Sequence, residues 1–367
     1  MTGMMCMERK TKVLLYELIS AGGLGAATTA QASLLAQGIS MRDAVLADLM
    51  ALAEVETTAV DCAFAPLEGK RTLRVPAGAH AVDFLRSVAG DFDRIWVIAP
   101  ESDGILLQLC EAIGAARWVG CDADSIRVAS SKQATCARLA AAGIAVPWGW
   151  TPGGEEPSAA LRAGPWIVKP DDGAGAEQTR VFASFAPARD EALRRISCGQ
   201  PTRLEAWVGG NLKDARDHGD ALSLSLLCRP DRTELLSINR QRIVLADDGA
   251  VQYRGVDIDA IPLDSALGDE LRQLAQRVGA ALPGLAGFVG VDLVLAGERR
   301  GGSDSAPCDP VVIEVNPRVT CAYVGQSVRH GRNLAAEILS VAPAPTLLPH
   351  AALERAHEAS VGALSVQ

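Results

Sequence analysis

The chain has 367 residues, 49% hydrophobic and 22% charged, and a formal net charge of −9. That length allows two or three packed lobes, and the composition is that of an ordinary globular protein. The acidic balance argues against nucleic acid or an acidic membrane as a partner of the whole surface, 4% aromatics leave little for stacking on single strands, and no apolar run reaches the ~20 residues of a membrane span.

The N-terminal third alternates strands and helices. Arg9-Lys10-Thr11-Lys12 before Val13–Tyr16 has the outline of a signal peptide, but Glu17 and then Gly22-Gly23-Leu24-Gly25 interrupt it. A strand over Val13–Glu17 that ends in a glycine turn fits better. Met1, Met4, Met5 and Met7 leave the start codon open. Helices are expected over Ala26–Gln37 and Met41–Glu54, a strand over Thr58–Phe64 and a helix over Ala81–Ala89. A strand over Arg94–Ala99 and a helix over Gly104–Ile113 follow. Such alternation implies a parallel sheet. The glycine turn is not a full dinucleotide fingerprint, so no nicotinamide cofactor is expected.

Ser130-Ser131 then opens a helix, with serine as its cap and Lys132 in its first turn. Trp166-Ile167-Val168-Lys169-Pro170 is a short apolar strand that ends in lysine and runs into Asp171-Asp172-Gly173-Ala174-Gly175-Ala176. Glycines let backbone N–H groups approach a phosphate, and lysine adds a point charge. A lysine at a helix start is ordinarily just solvated; one between an apolar strand and a glycine loop is not a usual surface position. In Arg203-Leu204-Glu205-Ala206-Trp207-Val208-Gly209-Gly210 an acid precedes a short apolar run, which also suits a strand-end salt bridge. Arg240 and Arg242 flank Gln241 in a polar knot after a strand over Glu234–Ile238, where the alternative to phosphate contact is a charged strand edge.

Two β-rich runs near the end carry hard oxygen donors. Gly290-Val291-Asp292-Leu293-Val294-Leu295 holds Asp292, and Val311-Val312-Ile313-Glu314-Val315-Asn316-Pro317-Arg318 places Glu314 and Asn316 on one strand face. Two carboxylates and an amide oxygen suit Mg²⁺, and burying them unpaired would be costly. The segment Gly297–Pro307 between the runs has the composition of an exposed hairpin loop. Ala342–Pro345 ends the expected core, and a docked helix or a loose tail follows. Nine cysteines at wide spacing, with no C-x-x-C pair, suggest a reducing cytoplasm, and the five histidines lack metal-ligand spacing to them.

Taken in order, Lys132 at a helix start, Lys169-Pro170 with a glycine loop, Glu205-x-x-x-Gly209, Gly290-x-Asp292 and Glu314-x-Asn316-Pro317-Arg318 resemble the ATP-grasp superfamily of ligases over residues 125–340. The resemblance implies an α/β fold of α+β lobes. A parallel-sheet pre-ATP-grasp domain would occupy residues 1–125, a small lobe with the glycine loop 126–200, a large lobe with the metal site 201–345, and a tail 346–367. It implies ATP held by Lys132, Lys169 and the loop glycines Gly173 and Gly175, with Glu205, Trp207 and Val208 around the adenine. Asp220 would hold the ribose hydroxyls, although the polar insertion Asn211–Gly219 before it departs from the compact family pattern. Asp292, Glu314 and Asn316 would hold Mg²⁺, for which Mn²⁺ can substitute. Arg240 or Arg242 would meet the γ-phosphate or the acyl phosphate, and Arg318 a substrate carboxylate.

Within that superfamily the chain is similar to the glutamate ligases that join glutamate to tyramine for methanofuran-type (methylofuran) cofactors. Leu14-Leu15-Tyr16-Glu17 running into Gly22-Gly23-Leu24, Asn239-Arg240-Gln241, and Asn316–Thr320 followed by Tyr323 carry that likeness. It implies ADP-forming ligation of glutamate to a phenolic amine through an acyl phosphate, in the cytoplasm and compatible with a homo-oligomer. Another amino-acid or peptide ligase, of the D-alanine–D-alanine type, and a non-catalytic nucleotide-binding module are the alternatives.

Overall fold

Four consecutive residues of the first strand, Val13–Tyr16, are shut off from solvent. They alternate between two cores, Leu14 and Tyr16 facing one and Val13 and Leu15 the other. A strand buried on both faces belongs to a parallel sheet covered by helices on both sides. In the computed structural model, which describes residues 9–23, 29–173, 175–209, 220–296 and 309–342, this N-terminal unit runs β1 Thr11–Glu17, α1 Thr29–Met50, β2 Val55–Asp61, β3 Thr72–Arg74, α2 Ala81–Val88, β4 Arg94–Ile98, α3 Ile105–Ile113 and β5 Trp118–Val119. Its sheet has the order β3-β2-β1-β4-β5, with parallel pairing throughout.

Helices α4 Ala123–Ala129 and α5 Lys132–Ala141 lead into the small lobe. There β6 Gly149–Trp150, α6 Ala159–Ala163, β7 Trp166–Pro170, β8 Arg180–Phe182, α7 Phe185–Ser197 and β9 Thr202–Ala206 form an antiparallel sheet of order β6-β9-β7-β8 against α7. Trp166 anchors this lobe, with the Phe185 ring centroid 4.8 Å away. The lobe's sheet thus begins at Gly149 and extends past residue 200, while Ile126, Ala129 and Leu139 of α4 and α5 join the main core.

The last unit comprises β10 Asp220–Cys228, β11 Thr233–Leu245, β12 Val251–Ile261, α8 Ala266–Ala281, β13 Gly287–Ala296, β14 Asp309–Asn316, a 3-10 turn at Cys321–Tyr323, α9 Gln326–His330 and α10 Leu334–Val341. Its antiparallel sheet has the order β12-β11-β10-β13-β14. Leu222, Leu224 and Val291 share one cluster with Leu14 and Tyr16, so the N-terminal unit and the large lobe have a common core.

Most expected elements appear close to their expected ends, with three departures. Ala26–Gln37 and Met41–Glu54 are one helix, α1, which passes straight through Gly38. Gly38 is not a break but a close approach: a Cβ there would lie 2.5 Å from Glu17 Oε2. The strand expected over Thr58–Phe64 starts and ends three residues earlier, because Val55 pairs with Thr11 and Asp61 turns to receive Arg74 and the Leu67 N–H. The polar knot at Arg240–Arg242 is instead the middle of the long strand β11. Gly25, the insertion Asn211–Gly219, the loop Gly297–Pro307 and the tail 346–367 lie outside the described residues. Among the described residues no helix is long and apolar enough to cross a membrane, and Cys62, Cys110, Cys121, Cys136, Cys198, Cys228 and Cys321 are free thiols.

Candidate active site

Strand register brings the first charged group together. Ile167 pairs opposite Glu205, and Lys169 opposite Arg203. The Lys169 ammonium lies 2.5 Å from Glu205 Oε1, and Arg203 Nε donates to Glu205 Oε2 at 3.1 Å. One carboxylate thus sits between two cations, all three groups largely buried, which compensates a desolvation that none would bear alone. Gly149 makes room for it: a Cβ there would meet the Arg203 guanidinium at 2.3 Å.

The glycine loop is anchored at its first residue. The Asp171 carboxylate accepts from Ser131 Oγ at 2.6 Å and from the Gln133 N–H at 2.8 Å, while its carbonyl accepts from the Lys132 N–H. Ser131 caps α5 by accepting from the Ala134 N–H. Cap and loop therefore hold each other. Lys132 Nζ donates to the Gly173 carbonyl at 3.0 Å and lies 3.3 Å from Glu314 Oε2. Burial works against its charge, but Glu314, Glu101 and Asp171 outweigh that and hold its pKa above the usual lysine value. Gly173 (φ 101°) and Gly175 (φ 72°) occupy the left-handed region that favours glycine. Asp172 accepts from the Asp103 N–H at 2.8 Å, tying the loop to the N-terminal unit.

On the large sheet Asp292 is directly opposite both Ser223 of β10 and Glu314 of β14. Asn316 Nδ2 donates to Asp292 Oδ2 at 3.3 Å, and Gln241 also hydrogen-bonds Asp292. Burial and then the Glu314 charge push the Asp292 carboxyl well above its usual range. Glu314 moves the other way: burial opposes it, but Lys132 and Lys169 hold it ionised. Two adjacent carboxylates in such a place repel one another when both are ionised. Among the described residues no group of three or more His, Cys, Asp or Glu side chains is placed to hold a metal ion. The donor set is two carboxylates and an amide, all able to offer hard oxygens, and a divalent cation between the carboxylates would relieve their repulsion. The residues fit Mg²⁺.

Arg318 closes the site from the far side. Its Nη2 donates to Glu101 Oε2 at 2.8 Å and its Nη1 to the Val319 carbonyl at 3.2 Å. Glu101 follows β4, so this ion pair joins the N-terminal unit to the large lobe. Arg318 Nε and Glu101 Oε1 are buried with no hydrogen-bond partner among the described residues.

All of this surrounds one cavity of about 580 Å³, within the size of small-molecule sites. Of the residues expected from sequence, Lys132, Lys169, Gly173, Gly175, Glu205, Trp207 and Val208 line it. Asp292, Glu314, Asn316 and Arg318 do so as well. Arg240 and Arg242 do not, contrary to expectation. Because β11 continues through them, they point away from Gln241, which lines the cavity. Arg240 pairs opposite the buried Leu222, and Arg242 bonds Asp257 at 2.9 Å. Asp220 begins β10, and its side chain lies outside what is described. Sequence reading missed Glu101, Arg203 and the bond from Gln241 to Asp292. Apolar alternation through Ile243 and Leu245 was a usable signal for Gln241.

Comparison with known proteins identifies the family and the fold. A family model described as an ATP-grasp domain matches residues 129–322, and one described as a pre ATP-grasp 3 domain matches residues 53–126. Among solved structures, an ATP-grasp superfamily protein from Archaeoglobus fulgidus superposes with a TM-score of 0.64 at 20% identity, over 90% of this chain and 88% of that one. An L-amino acid ligase from Bacillus licheniformis gives 0.60 at 16% identity, over 91% and 74%. A D-alanine–D-alanine ligase from Bacillus anthracis complexed with ATP gives 0.58 at 14% identity, over 91% and 97%. At such identities the likeness concerns the fold alone. A search of curated proteins found no match.

Proposed function

The chain belongs to the ATP-grasp family, and from that premise we propose that it is an ADP-forming carboxylate–amine ligase. The observation that carries this reading is the convergence in one cavity of two buried lysines, a carboxylate pair short of a cation, and an arginine fixed from another unit. The backbone of Ala206–Val208 and Glu205 would receive the adenine, and Asp220 the ribose. Lys132, Lys169 and the loop at Gly173–Gly175 would hold the phosphates. Asp292, Glu314 and Asn316 would hold Mg²⁺, or Mn²⁺ in its place, which when bound neutralises charge on the transferring phosphoryl group.

In the first step a substrate carboxylate oxygen attacks the γ-phosphorus. The bond to the β-phosphate oxygen breaks, leaving an acyl phosphate and ADP. An amine nitrogen then attacks the acyl carbon, the C–O bond to phosphate breaks, and the nitrogen loses a proton to give the amide. Arg318 would grip a carboxylate with its planar fork, and the loop over residues 172–176 would keep water from the acyl phosphate. This scheme requires no side-chain nucleophile.

More finely, glutamate is the activated acid and a tyramine- or tyrosine-like phenolic amine the acceptor, as in methanofuran-type cofactor synthesis. This rests on the sequence segments around Tyr16-Glu17, Asn239-Arg240-Gln241 and Asn316–Tyr323. The test is a coupled ADP assay over a panel of amines with glutamate, followed by product mass. The product should gain glutamate less one water, with ADP and phosphate formed one for one. Faster turnover of D-alanine, or of a peptide amine without an aromatic ring, would replace this reading with a general amino-acid or peptide ligase. No ADP with any pair would leave a nucleotide-binding module.

A further inference from the structure

The walls of the cavity divide by origin. The hinge, β7 and the glycine loop come from the small lobe and carry the groups suited to a nucleotide. A second set comes from elsewhere: Gln37 and Met41 of α1, Tyr253 and Val256 of β12, and Cys321 and Ala322 of the 3-10 turn. These residues adjoin one another. The Cys321 thiol donates to Gln37 Oε1 at 3.5 Å, and Tyr253 lies within the electrostatic reach of both Cys321 and Asp292. Arg318 also lines the cavity and feels the fields of Glu101, Cys321 and Glu314.

This second set carries no formal charge. Burial keeps the Cys321 thiol protonated. The acid behind it, Glu17, does not line the cavity and is occupied by the N–H groups of Ser20 and Ile19. The Tyr253 side chain is half-buried and lines the cavity. Met41, Val256 and Ala322 make this lining largely apolar, so an apolar body entering here would gain contact, and one polar group would find the Tyr253 hydroxyl.

We propose that the space enclosed by α1, β12 and the 3-10 turn is the acceptor subsite, and that Tyr253 selects an amine whose remaining body is uncharged and mostly apolar. The assignment rests on the ligase reading, since only a ligase has an acceptor. It makes Tyr253 a specificity-determining residue that touches the acceptor.

Phenethylamine and 1,4-diaminobutane serve as probes, the second carrying an extra cation. Their binding to the full chain, loaded with a non-hydrolysable ATP analogue, Mg²⁺ and glutamate, is read by saturation-transfer NMR. ADP release with true ATP is read separately. Wild type should bind phenethylamine in preference to diaminobutane. Tyr253→Ala should weaken phenethylamine about tenfold through the lost ring contact. Tyr253→Phe should leave it nearly unchanged but weaken tyramine about fivefold, through the lost hydroxyl partner. Val256→Asp should reverse the preference towards diaminobutane, and nucleotide affinity should stay within about twofold in every variant. If wild type binds neither probe, prefers the diamine, or loses nothing in Tyr253→Ala, the assignment falls. Binding that depends on Tyr253 without any ADP release would sink the ligase reading and leave an amine-binding pocket with no acceptor role. ADP release with selectivity indifferent to Tyr253 would sink the subsite and leave the ligase reading. Tyr253→Phe keeps the ring and the packing, so its tyramine result stands even if Tyr253→Ala fails to fold.

Discussion

Each charge in this cavity is held by a neighbour whose removal should be felt in a particular measurement. Burial and the Glu314 charge both disfavour ionised Asp292, so Asp292→Asn removes a charge that costs stability while no cation is bound. Its melting temperature without nucleotide should therefore remain within a few degrees of wild type. The rise in melting temperature on adding Mg²⁺ with ATP should vanish, because a hard anionic ligand has gone. Glu314→Gln should lose the same rise and also leave Lys132 without its nearest carboxylate. Wild-type turnover in either variant would refute the metal assignment. Lys169 gives a second case. Lys169→Ala should raise the ATP concentration needed for half-maximal rate by about tenfold or more, as expected for removing a preorganised charge from a buried site. Lys169→Arg should rescue poorly, since a planar fork cannot take the place of an ammonium 2.5 Å from Glu205 in a space already shared with Arg203. Normal ATP use by Lys169→Ala would remove this lysine from the phosphate site.

At the scale of elements, what was legible in the sequence was whatever chemistry and periodicity agreed upon. Trp166–Pro170 is a strand because an apolar run meets a proline, and Ser131 caps α5 because serine precedes a helical stretch. Two misreadings share a cause: a local signal overridden by a partner distant in sequence. Gly38 looks like a helix break, yet it lies inside α1 so that the helix can pass close over the Glu17 carboxylate. Arg240-Gln241-Arg242 looks like a polar knot after the strand Glu234–Ile238, yet cross-strand pairing with Val251–Ile261 carries β11 through it. That continuation exchanged the faces, sending Gln241 into the cavity and the two arginines out of it. The glycine can be tested. Gly38→Ala should favour the helix locally, but its methyl must displace a buried carboxylate, and the net effect should be a loss of about 1–3 kcal/mol in denaturant unfolding. An unchanged or higher stability would show that Gly38 is dispensable there.

Across the whole molecule, the site depends on contacts that no single unit contains. The N-terminal unit reaches the glycine loop through Asp103 and Asp172, and the large lobe through Glu101 and Arg318. Such long-range pairs lie 69 and 217 residues apart and leave no periodic trace, which is why Glu101 went unnoticed while Arg318, beside Asn316-Pro317, did not. The Glu101–Arg318 pair also makes a prediction that separates positioning from stability. Arg318 should hold the acid substrate, and Glu101 should hold Arg318. Arg318→Lys would exchange a two-point contact for a single point charge, so the KM for glutamate should rise about tenfold or more while the KM for ATP moves little. Glu101→Gln touches no substrate in this scheme, yet it should raise the glutamate KM in the same direction, because a guanidinium left short of its counter-charge loses its fixed orientation. The double variant should then be scarcely worse than Arg318→Lys alone, since the two residues act as one device, with a coupling of about 1 kcal/mol or more. Additive losses, or an ATP KM that rises as much as that for glutamate, would show that the pair merely joins two units of the fold.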